Sequence, residues 1–223
     1  MNLNAKNKIY LMFGGIAGFF IIFALLLLNQ SIAIKRYSDD IESHWMPNIV
    51  AINAINTAAS DWRSTVSQTV ISKDPEEMDE YEQTRQRLTD EIATWQAKYE
   101  PRIVSDKERT LYQKFASSYE NYIEASKQAL AFAQNGNKEK AAVQFKRNRS
   151  LFNALSGDLQ QLVELNNKGS LDAAQQSAKA LAQVKIVIAI GSSLLVMILI
   201  VFMALLRGKA KLSPYKLMID AAT

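Results

Sequence analysis

The chain has 223 residues, Lys+Arg 26 against Asp+Glu 22, no Cys and one His. Without Cys there are no disulfides, thiolate nucleophiles or Cys-held metals, and His44 alone argues against poly-His metal sites and Ser-His relays. The net charge of +4 is mild and comes without Lys/Arg blocks interleaved with aromatics, so nucleic acid is not indicated.

Residues 1–8 form a short basic start carrying Lys6 and Lys8, and residues 9–28 carry no charge. Residues 186–206 are likewise uncharged and are followed by Arg207, Lys209 and Lys211. Each apolar run is about 20 residues, enough to cross a hydrocarbon core as a helix. The first exceeds a signal-peptide core and is followed by polar Asn29-Gln30, so it reads as an uncleaved anchor. Gly14 and Gly18 form a G-x-x-x-G pair that lets two such helices approach. The basic flanks place both ends in the cytoplasm; Lys35 and Arg36 oppose this, but Asp39 and Asp40 follow them. Residues 29–185 are therefore expected outside a bacterial inner membrane, in the periplasm of a Gram-negative cell, on a multi-pass protein.

Between the spans the punctuation is Pro47, Pro75, Pro101 and Asn135-Gly136-Asn137. Between these marks apolar residues step by three and four, the spacing of helices packed on helices. The stripes run Ile52, Ile55, Ala59, Trp62, Val66, Thr69, then Met78, Tyr81, Arg85, Leu88, Ile92, Trp95, Tyr99. They continue as Leu111, Phe115, Ser118, Tyr122, Ala125, Ala129, Phe132, and last as Phe145, Asn148, Phe152, Leu155, Leu159, Leu162, Asn166, Gly169, Ala173. Asp74-Pro75 is an N-cap followed by Pro at the first helical position, and Ser105 to Glu108 has capping-box spacing. Connections at 72–75, 101–105 and 135–138 are short, which forces antiparallel neighbours. The expected fold is all-α, an up-down-up-down four-helix bundle between two transmembrane helices. The first limb climbs roughly 65–70 Å and the last descends roughly 70 Å at 1.5 Å per residue, so both ends can meet one membrane. The second descends about 40 Å and should end level with Pro47.

This equal-height construction brings candidate ligand groups together. Roughly ten residues below the tip by the helical rise lie Arg63 and Arg85, with Tyr122 and Ser126 on the third limb and Asn148 and Arg149 on the fourth. Guanidinium groups meeting hydroxyl and amide donors suit capture of a carboxylate. The plainer alternatives are that Arg85 pairs with Glu80, Glu82 or Asp61 and that Asn148 sets register. Lys73 reads as a solvated tip charge, His44 as structural, and Asp79, Glu80 and Glu82 as a wet helix face. There is no calcium loop, phosphate loop or nucleophile elbow. Neither an enzyme nor a cofactor is indicated.

His44-Trp45-Met46-Pro47-Asn48-Ile49 and Asp61-Trp62-Arg63 resemble the first-helix pattern of the four-helix-bundle sensory domains of methyl-accepting chemotaxis proteins. Ala133 to Ala141 and Leu162 to Gly169 continue the likeness, and Leu212 to Ala222, with Pro214, looks like the opening helix of a HAMP linker. The resemblance implies a homodimeric receptor for small organic or amino acids. Its signal would pass through the last helix and second span to HAMP and a cytoplasmic kinase-controlling hairpin. It also implies that Arg63 holds a ligand carboxylate and that Arg149 lies in a region the family uses; Arg85 has no implied role. Methylation helices and a kinase-contacting tip do not occur before Thr223, and the HAMP-like helix stops there short of a foldable unit. The chain is therefore expected to be the input portion of a longer receptor rather than a short protein sensing without its own output. Alternatives are the input domain of a histidine kinase or cyclic-dinucleotide enzyme, or a structural membrane protein that binds a protein partner.

Overall fold

The computed structural model describes residues 5–210. The chain is an all-α four-helix bundle, and no strand occurs among the described residues. The elements are α1 (Ala5–Asp40), a π turn (Ile41–Trp45), α2 (Met46–Ile71), α3 (Pro75–Tyr99), a 3-10 turn (Glu100–Arg102), α4 (Asp106–Gln134), α5 (Lys138–Arg147) and α6 (Arg149–Ala210). They fold as two compact units: Ser38–Ala174, and residues 5–37 with 175–210. The basic Lys211 and the HAMP-like stretch with Pro214 lie outside the described residues.

The first unit is the bundle, with α2, α3, α4 and α5 running into α6 as its limbs. The π turn has a local cause. Pro47 offers no N–H, and its ring would strike the carbonyl four residues back in a regular helix. The chain widens just before it, with the Met46 N–H reaching the Ile41 carbonyl. At the first bend, Asp74 accepts from the Glu76 N–H at 2.9 Å, and Pro75 begins α3 where a missing N–H costs nothing. At the last bend, Gly136 takes φ +73°, the left-handed turn that glycine adopts without strain, and Asn137 caps α5 by accepting from Lys140 N–H at 3.2 Å.

The core is Ile52, Ile55 and Val66 of α2, Leu88 and Ile92 of α3, Phe115 and Tyr122 of α4, and Leu155, Leu159 and Leu162 of α6. All six α2 stripe positions are buried. On α4 the buried face is rotated from the expected one. Leu111, Ser118, Ala125 and Phe132 are only half-buried, while Glu108, Tyr112, Ser126, Leu130 and Ala133 are buried. The fourth limb also differs from a single regular helix. At Asn148 the backbone flattens to φ −70°, ψ −7°, and its N–H is shared between the Gln144 and Lys146 carbonyls. The ladder resumes at once, the Phe152 N–H reaching Asn148 O at 3.0 Å.

Gly169 shows why a helix tolerates glycine here. The Trp45 indole lies against it, and a Cβ at Gly169 would stand 2.6 Å from Trp45 Cζ2. A Cβ at Gly157, by contrast, would meet nothing within 4 Å.

In the second unit the Phe23 ring seats on Gly191, where a Cβ would come 2.8 Å from Phe23 Cδ2. Side chains such as Ile22, Leu25 and Leu199 face outward without cover. Two helical runs, Phe13–Ile71 and Lys138–Ala204, contain segments long and apolar enough to cross a membrane. A Cβ added at Gly14 or Gly18 would meet nothing within 4 Å among the described residues.

Candidate functional site: two polar layers in the bundle

The upper layer is built on aromatic rings. Trp62 of α2 and Tyr122 of α4 meet edge-on with centroids 5.7 Å apart, and Tyr122 meets Phe152 of α6 at 5.3 Å. Half-buried Arg63 lays its guanidinium over Phe152 at 4.5 Å and Phe145 at 5.5 Å. Such stacking engages the face of the guanidinium and leaves its N–H edge available. Among the described residues no carboxylate forms an ion pair with Arg63. Burial pushes the Tyr122 hydroxyl up to about 12, with neighbouring Ser126 and the charge of Arg63 pulling it back. Ser126 is buried beside it, yet the Tyr122 hydroxyl makes no well-formed hydrogen bond within the protein.

Of the six expected ligand residues, Arg63, Tyr122 and Ser126 are therefore brought together. Asn148 falls in the chain between Phe145 and Phe152, the two rings under Arg63, and Arg85 and Arg149 are placed otherwise. Arg85, 2% exposed, is occupied: it pairs with Glu82 and donates to Thr69 Oγ1 at 2.7 Å and to the Thr65 carbonyl at 3.4 Å. It joins α3 to α2, as a core guanidinium must when it carries its own partners. Asn148 is buried; its Oδ1 accepts from Gln144 Nε2 at 3.1 Å, and its Nδ2 has no protein partner. Arg149 begins α6 with an exposed side chain. A groove of about 390 Å³ opens nearby between α4 and α5, lined by Phe132, Lys140, Gln144 and Arg147 among others, and none of the six lines it.

The lower layer was not foreseen. Glu108 in the first turn of α4 is 0% exposed. Its Oε1 accepts from Tyr99 Oη of α3 at 2.7 Å, from Asn166 Nδ2 of α6 at 3.2 Å and from Asn48 Nδ2 of α2 at 3.4 Å. One side chain from each limb thus meets at one level, so the end of α3 and the start of α4 lie level with Asn48. Ser105 accepts the Glu108 N–H at 3.2 Å, which completes half of the capping box. The carboxylate does not return to the cap as the spacing suggested; it turns into the core. Tyr99 carries the consequence, its hydroxyl held far above its usual range by burial first and by Glu108 second.

Two further ties cross the bundle. Buried Asp158 of α6 pairs with Lys114 at 2.7 Å and accepts from Ser118 at 2.6 Å, both on α4. Lys138 donates to the Thr69 carbonyl at 3.0 Å at the tip.

A helical bundle joined to two segments able to cross a membrane, with a cationic group left unpaired among its aromatic rings, has the build of a receptor's sensing part. The chain belongs to the family described as the four helix bundle sensory module for signal transduction, whose model matches residues 2–181. It is 25% identical over 151 residues to a Bacillus subtilis (strain 168) protein named "Putative sensory transducer protein YvaQ". That stretch is 68% of this chain and 26% of the relative's length.

Proposed function

We propose that this chain is the input module of a transmembrane chemoreceptor, multi-pass in the bacterial inner membrane with residues 29–185 in the periplasm, and working as a homodimer. In this reading a small carboxylate-bearing ligand, an organic or amino acid, binds at Arg63. The signal leaves through the last helix and second span toward a HAMP linker and a kinase-controlling output. The family and the sensory transducer relative support a signalling role. Arg63 carries the choice of ligand: a cation stacked on Phe145 and Phe152 that forms no ion pair with a carboxylate among the described residues. A bidentate carboxylate completes that edge better than water does, because charge-assisted pairs formed away from solvent are strong.

The same geometry suggests how binding is felt. Arg63 belongs to α2, and its two aromatic supports belong to α5 and α6. A ligand that draws the guanidinium outward weakens its stacking on the fourth limb, and so favours a different placement of α6 against α2. Calorimetry on the whole chain in lipid nanodiscs, against a panel of organic and amino acids, tests this. Arg63→Ala should weaken any hit about 10- to 150-fold, the worth of a charged hydrogen-bonded pair of roughly 1.5–3 kcal/mol. Unchanged affinity in Arg63→Ala would remove Arg63 as the anchor.

A further inference from the structure

The layer around Glu108 has its donors and acceptors out of balance. Its three donor groups, the Tyr99 hydroxyl and the amides of Asn48 and Asn166, all converge on Oε1. Three buried acceptor oxygens are left without a partner among the described residues: Glu108 Oε2, Asn48 Oδ1 and Asn166 Oδ1. Each is the second atom of a head group whose first atom sits at the Oε1 contact. The amide orientation at Asn166 is fixed by its own helix, since its Nδ2 also donates to the Leu162 carbonyl at 3.0 Å, an atom that can only accept.

Charge is unbalanced as well. Among the described residues no Lys, Arg or His forms an ion pair with Glu108. The N-terminal end of α4 helps, because Glu108 stands in its first turn. A helix terminus offers the equivalent of about half a charge, which leaves a buried carboxylate only partly compensated. Hydroxyl and amide donors let the carboxylate stay buried, and a cation bound through oxygen would supply both the remaining charge and the partners the three acceptors lack.

We propose that this layer is a binding site for one monovalent metal cation, held by Glu108 Oε2 and the amide oxygens of Asn48 and Asn166. Acceptor arithmetic favours a metal ion over a proton. A proton on Oε2 can serve one further acceptor, whereas a metal ion can gather several oxygens at once. The all-oxygen donor set suits a hard cation. The single carboxylate matches one positive charge, while divalent calcium generally gathers several carboxylates among six to eight oxygens. Occupancy joins α2, α4 and α6 below the level of Arg63, with Tyr99 of α3 closing the layer, and this assignment stands whether or not Arg63 binds a carboxylate.

The test is thermal unfolding of the whole chain in nanodiscs at fixed pH and ionic strength, with choline chloride replaced stepwise by sodium, potassium or lithium chloride. Equilibrium dialysis with radioactive sodium and rubidium reads retention directly. The expected result is a midpoint that rises and saturates with one of these ions, with one ion retained per chain. Glu108→Gln and Asn166→Leu should each lose both effects; Asn48→Leu serves the same purpose if either fails to fold. The proposal is overturned if the midpoint in choline equals that in every alkali ion, as a bound water would give. It is also overturned if the midpoint follows pH alone with no ion retained, if only divalent ions act, or if folded Glu108→Gln responds as the unaltered chain does.

Discussion

Two glycines on one helix allow the packing at the base of the bundle to be measured against an internal control. Gly157 and Gly169 both lie inside α6, and replacing either by Ala should gain the helix preference of roughly 0.5–1 kcal/mol. At Gly157 the added Cβ meets nothing within 4 Å, so that gain should appear nearly whole. At Gly169 the Cβ stands 2.6 Å from Trp45 Cζ2 and overlaps the rest of the ring edge. The indole has to swing off the helix or the helix has to back away, and overpacking of this kind costs about 1–3 kcal/mol. The two variants should therefore differ by about 1–3 kcal/mol, or roughly 2–12 °C in unfolding midpoint for a chain of this size. Circular dichroism of both in the same nanodiscs measures it. Trp45→Ala removes the obstacle, so the double variant Trp45→Ala/Gly169→Ala should show a coupling of similar size. If Gly157→Ala and Gly169→Ala shift together, the indole is not seated on Gly169 and the base packing described above is wrong.

Arg85→Met, which keeps the stem and deletes the charge, should cost about 1–3 kcal/mol, because Thr69 and the Thr65 carbonyl lose a charged donor in the core. Glu82→Gln should cost at most about 1 kcal/mol, since that partner is 57% exposed and solvent screens the pair; denaturant unfolding that ranks the two the other way refutes the structural role given to Arg85. For Tyr122 the sign follows from burial: in the unfolded chain its hydroxyl ionises from about its ordinary value of 10.0, while in the bundle it stays protonated to about 12. Because burial penalises only the ionised form, stability is level below pH 10 and falls as pH rises to 12, at about 1.4 kcal/mol per pH unit. Tyr122→Phe should remove that share of the alkaline slope and leave stability at neutral pH nearly unchanged. Tyr99, Tyr112 and Tyr119 are raised too and should keep part of the slope, so identical slopes with and without the Tyr122 hydroxyl would refute its burial.

The limbs were readable because each is dictated by near neighbours in the chain. The α2 stripe from Ile52 to Thr69 repeats at helical spacing and is buried throughout, and Asp74-Pro75 announces α3 from within one turn. Arg85 was half readable. Its stripe position placed it in the core, and Glu82 three residues away was visible as a partner, but Thr69 on another helix was not.

Glu108 shows where such reading stops. A Glu three residues after a Ser cap has two stable uses, returning to the cap or turning inward, and residues 105–108 are equally consistent with both. What decides is the arrival of Tyr99, Asn48 and Asn166 from three other limbs. A carboxylate that is met by hydroxyl and amide donors in a closed layer can remain there; the same carboxylate facing Leu and Ile could not. The rotation of the buried face of α4 is consistent with that choice, since turning Glu108 and Tyr112 inward moves Leu111 and Ser118 toward the rim. Gly169 is the same lesson in packing: by propensity alone it marks a weak point in α6, and only the indole of Trp45, carried in on the π turn that Pro47 provokes, makes it a cradle. Periodicity thus specifies which residues face inward, while the direction a polar head group takes once inside is set by residues far along the chain. In this bundle those head groups form the two layers on which a ligand and an ion are proposed to act.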